Sequence, residues 1–190
     1  MSLSPSLKHL DMIHKEYNAE LAWNLATRLG LVVGGFWIVS FLIVVLNFPS
    51  LLCDIGYLVG LMSVFHVGKA IRLVSSNVMP MRWMQRLSLA LLSFMGGVLF
   101  TTLAQFVYFA YFDKGRFFDG MLEGLTEPSF VQMMKEAGNE AMLGQMSDMI
   151  YAMLEMSPRL IAFNFFTTNV IVAFIFALVA SLFRGGTERK

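Results

Sequence analysis

The side chains able to do chemistry in this chain of 190 residues are few, and most stand in apolar surroundings. His66, Gln105, Asn164, Thr167, Thr168 and Asn169 are polar positions inside long stretches of neutral sequence. Asn164 and Thr168 are four apart, hence on one helical face, and with Gln105 they form a candidate polar patch for a substrate or a lipid headgroup. The favoured reading of the same residues is hydrogen-bonding glue between helices, because no Asp or Glu lies deep in a neutral run to carry a proton or cation. His66, Lys69 and Arg72 form a candidate headgroup contact. The competing view is a histidine bonded to a neighbour beside a snorkelling lysine.

Met142, Met146, Met149, Met153 and Met156 recur at spacings of 4, 3, 4 and 3, with Glu140, Gln145, Asp148 and Glu155 off that line. One helical face is therefore soft and apolar and the other hydrophilic, which makes the stripe a candidate docking surface for a partner helix or lipid tail. It serves equally as the inner side of a helix that covers its own bundle or lies on a membrane. A Cu(I) site of thioethers is disfavoured, since the segment from Asp113 to Arg159 has no His or Cys to join the methionines. His9 and His14, five apart, fall on different parts of a helix surface and make no metal pair. Cys53 is the single cysteine, so no intramolecular disulfide or thiolate cluster is available. There is no Gly-rich phosphate loop, HExxH or GxSxG, nor a pair of carboxylates on facing helices. Asp113 and Asp119 around Lys114 and Arg116 read as the charged start of a loop. The expectation is a non-enzyme without cofactor or metal.

The elements that must hold these residues follow from composition. Hydrophobic residues are 57% of the chain, with 18 Phe and 15 Met, and 14% are charged against about 25% in a soluble domain. Mean hydropathy is +0.66, too apolar to coat a soluble enzyme of this size. The net charge of +1 lacks the basic footprint of a nucleic-acid binder. A bilayer crossing needs about 20 apolar residues. Leu29 to Cys53, with LVVGGFWIVSFLIVVLNF at its heart, supplies span one, and Ile55 to Gly68 with flanking apolar residues supplies span two. Leu87 to Phe112 supplies span three and Leu160 to Phe183 span four.

The fold class expected is thus an all-α membrane protein of four transmembrane helices. Residues 1–28 form an amphipathic cytoplasmic helix, 29–112 spans one to three, 113–159 an acidic Met-rich extracytoplasmic helical insertion, 160–183 span four and 184–190 a basic cytoplasmic tail. Lys8, Lys15, Arg28, Lys69, Arg72, Arg82, Arg86, Arg184, Arg189 and Lys190 would share one side, and the positive-inside rule makes that side cytoplasmic. The insertion holds eight of the thirteen acids and eight of the fifteen methionines. Pro128 predicts a helix start with Ser129 and Gln132 as a capping box, and Gly138 and Gly144 are its candidate breaks. Small residues mark the expected helix contacts: Gly30 and Gly34, Gly56 and Gly60, Ser93 and Gly97, then Ala173, Ala177 and Ser181. They leave open whether the stripes meet one another or a second subunit.

Four spans, a basic second loop, the aromatic exit YFAYFDKGRF, the insertion EPSFVQMMKEAGNEAMLGQMSDMIYAMLEMSP and a closing span resemble a small bacterial membrane family, domain of unknown function 4199, over roughly Leu29 to Arg184. The resemblance implies a bacterial inner-membrane location and brings no assigned reaction. It also implies an accessory place beside envelope enzymes such as membrane glycosyltransferases. The function expected is a subunit or scaffold for an envelope-associated protein or for itself. The alternative is a small transporter or lipid carrier with a polar path along Gln105, Asn164 and Thr168. The bilayer and a protein partner or homo-oligomer are the expected associates, and nucleic acid is not.

Overall fold

The computed structural model describes residues 18–183, apart from 49 and 51. Among the described residues there are seven helices and no strand: α1 (Ala19–Asn47), α2 (Leu52–Asn77), α3 (Trp83–Tyr111), α4 (Arg116–Thr126), α5 (Pro128–Glu136), α6 (Glu140–Leu154) and α7 (Pro158–Ser181). Helices α1, α2, α3 and α7 are each long and apolar enough to cross a membrane. Even the shortest, with 24 residues, spans about 36 Å at the usual helical rise, against roughly 30 Å of hydrocarbon. Residues 19–28 continue without a break into the first span. The rest of the expected amphipathic helix, with His9 and His14, lies outside the described residues, as does the tail from 184.

Contacts gather the chain into two compact units. The described parts of Met1–Phe36, Leu61–Phe100 and Asn169–Lys190 make one. Here α1 and α3 meet through glycine: a Cβ on Gly30 would lie 3.3 Å from the Gly96 Cα, and one on Gly97 would lie 2.4 Å from Val33 Cγ1. α2 meets the end of α7 where a Cβ on Gly68 would strike the Phe183 ring at 2.6 Å. Ala173, Ala177 and Ser181 are fully buried. The small-residue stripes of α1, α3 and α7 are therefore consumed inside the chain, where close backbone approach maximises dispersion contact in a lipid solvent.

Trp37–Gly60 and Thr101–Thr168 make the second unit. Within it Ser40 Oγ of α1 donates to the Gly56 carbonyl of α2 at 2.7 Å, and a Cβ on Gly60 would meet Ser40 Oγ at 2.9 Å. Phe41 and Val45 of α1, Phe109 of α3, Phe118 of α4, Ile150 of α6 and Ile161 of α7 form one buried cluster. The insertion thus folds onto the spans of this unit through an apolar core. It contains three helices where Pro128 alone signalled a start. α4 begins beyond a turn with Lys114 and Gly115 at positive φ, 49° and 88°, and turns Phe117, Phe118, Met121, Leu122 and Leu125 inward. Gly138, at φ 72°, separates α5 from α6, whereas Gly144 lies within α6 and breaks nothing. The capping box is also corrected. Pro128 is the first residue of α5 and no side chain caps it, because Ser129 Oγ donates to Glu127 Oε1 at 2.9 Å and Gln132 Nε2 to Glu136 Oε1 at 2.8 Å.

Candidate functional site

The polar positions inside the spans are held largely by their own backbone. Thr167 Oγ1 donates to the Phe163 carbonyl and Thr168 Oγ1 to the Asn164 carbonyl, both at 3.1 Å. Ser93 Oγ does the same to Leu89 at 2.8 Å. Hydroxyls returned to a carbonyl of the preceding turn are satisfied locally, and the Ser40 bond to Gly56 ties two helices together. Ser40 is the residue that sequence reasoning missed, although a serine inside span one, with the Gly56 and Gly60 pair awaiting a partner, was the available signal.

Of the candidate trio Gln105, Asn164 and Thr168, the last two line one groove, and Gln105 is not among its lining residues. Gln105 is 3% exposed, while Asn164 and Thr168 lie on the exposed face of α7. Those two instead join the methionine stripe. An open groove of about 100 Å³ is lined by Phe118 of α4, by Met153 and Met156, and by Ile161, Asn164, Phe165 and Thr168 of α7. Asn164 Nδ2 donates to Met156 Sδ at 3.4 Å, a weak acceptor. The aromatic wall is set by stacking: Phe165 on Phe109 at 5.4 Å between centroids, and Phe109 on Phe118 at 5.8 Å. The groove is thus mostly apolar, with the Asn164 amide and Thr168 as its polar lining.

The five-methionine stripe is divided. Met153 and Met156 pack on the buried cluster and Met146 is half-buried, but Met142 is 47% and Met149 55% exposed. The buried face of α6 is centred on Ile150, flanked by Leu143, Met146 and Leu154, which share the same 3 and 4 spacing. Two overlapping apolar lines lie on one helix, and the aliphatic one faces inward.

His66, Lys69 and Arg72 are exposed together on α2, opposite the buried Val64, Val67 and Ile71. The His66 ring lies 6.0 Å from that of Phe36. A basic residue that charge counting treated as surface behaves otherwise: Arg86 is 6% exposed, and its Nη1 donates to the Phe183 carbonyl just past α7, at 3.4 Å. A guanidinium there satisfies that carbonyl and complements the helix dipole. Asp113 is not the solvated loop residue expected. It is buried and accepts from the Gly115 and Phe117 amides at 3.1 Å each.

These features define a class, the helical multi-pass membrane protein with a folded helical insertion before its last span. The particular family follows from the match of the model described as Protein of unknown function (DUF4199) to residues 28–184, most of the chain, and the protein belongs to that family. No curated protein and no solved structure matches it.

Proposed function

We propose that the protein is a non-enzymatic subunit or scaffold of the bacterial inner membrane, with both termini cytoplasmic and the insertion outside, serving an envelope-associated partner. One observation carries this reading. The small residues of the spans are used within the chain, while α6 keeps Met142 and Met149 exposed on an insertion anchored by Phe118 and Ile150. A fixed platform with flexible thioethers on its outer side fits a docking role. The carrier alternative has less support, because Gln105 is buried and absent from the groove that Asn164 and Thr168 line.

The test is purification in mild detergent followed by identification of stoichiometric companions. Wild type retains a defined companion, and the Met142→Lys, Met149→Lys double variant loses it while keeping its helical content by circular dichroism. A monomer with no companion in native lipid, or a companion indifferent to the double variant, contradicts the proposal.

A further inference from the structure

The exposed side of α6 has a pattern of its own. Met142, Gln145, Met149 and Ala152 follow one another at spacings of 3, 4 and 3, and all four are exposed. That is the a/d spacing of a helix seam. On the other side of this line from Met146 and Met153 lie Asp148 and Glu155, at the flanking positions that set partner choice in paired helices. Both acids are exposed; of the bases on either side of α6, Lys135 is engaged with Glu140 at 3.5 Å, and Arg159, four residues past Glu155, makes no ion pair with it. The strip therefore combines a seam of two methionines, Gln145 and Ala152 with a flank of two acids that make no ion pair among the described residues.

We infer that this strip receives a helix of another protein whose apolar seam is flanked by Lys or Arg, which deepens the scaffold reading above and rests on it. A second copy of this chain is a poor occupant, since it brings Asp148 and Glu155 toward like charge with no base on the strip to offset them. An anionic lipid surface is repelled for the same reason. A basic-flanked helix gains the seam contacts together with charge complementarity that speeds encounter and excludes wrong partners.

The experiment places a photoreactive benzophenone residue at position 145 of the full chain in living cells, with position 123 of α4 as a control, and maps crosslinked peptides by mass spectrometry. The expected product joins position 145 to a segment of another protein with Lys or Arg beside its apolar seam. It is lost in the Asp148→Lys, Glu155→Lys variant, whose substitutions are at exposed sites, and is not formed from position 123. A protein crosslink to an acidic or uncharged segment, to a second copy, or one that survives charge reversal overturns the inference and leaves the subunit reading standing. A crosslink to lipid alone, one formed equally from position 123, or none from either position overturns the inference, and with no companion in the purification the subunit reading fails with it.

Discussion

Gly97 shows how much a single hydrogen matters where helices cross. Its substitution by alanine puts a methyl 2.4 Å from Val33 Cγ1 and 3.2 Å from the Gly34 nitrogen. The crossing must open, at about 1 to 3 kcal/mol for overpacking of this kind. Gly144→Ala is the control, because nothing lies within 4 Å of its added carbon and the helix gains up to about 1 kcal/mol in propensity. Thermal unfolding in detergent should therefore move downward for the first and level or upward for the second; equal shifts would refute the packing account. Residue spacing alone announced Gly30, Gly34 and Gly97 as contact positions. It could not announce Arg86 or Asp113, because burial of a charge depends on which helix end or backbone amide arrives from elsewhere in the chain.

At the scale of elements, α4 depends on the residue before its turn. The Asp113 carboxylate satisfies two amides at the start of α4. Asp113→Ala removes that acceptor, worth about 0.5 to 2 kcal/mol. Hydrogen exchange should accelerate across Arg116–Thr126 while α1 stays protected; unchanged protection in α4 would show that the cap is dispensable. Phe117, Phe118, Met121, Leu122 and Leu125 stand at helical spacing, but the charges around them read as the start of a loop. The Met stripe misled in a different way. Two apolar lines share α6, and only Ile150 meeting Phe41 and Phe109 of the spans decides which is buried.

For the molecule as a whole, the orientation proposed above, with both chain ends cytoplasmic and the insertion outside, rests on the distribution of Lys and Arg around four candidate spans. A membrane-impermeant thiol reagent should then label Gln145→Cys in intact cells, with Cys53, buried and bonded to the Val44 carbonyl, leaving little background. A reporter fused after Lys190 should respond only once the membrane is opened. Labelling of Gln145→Cys only after opening would reverse the orientation and remove the insertion from any partner outside.

The number of spans, the all-helical class and the glycine contact positions were determined by the sequence alone, because hydropathy and small-residue spacing are local properties that a bilayer translates directly into helices and crossings. Which polar groups meet was decided only in three dimensions. Asn164 reaches Met156, Ser40 reaches Gly56, and Met142 and Met149 are left outside while Ile150 goes in. Helical periodicity repeats every few residues and so offers several equivalent faces, and only the neighbours that pack against a helix select one.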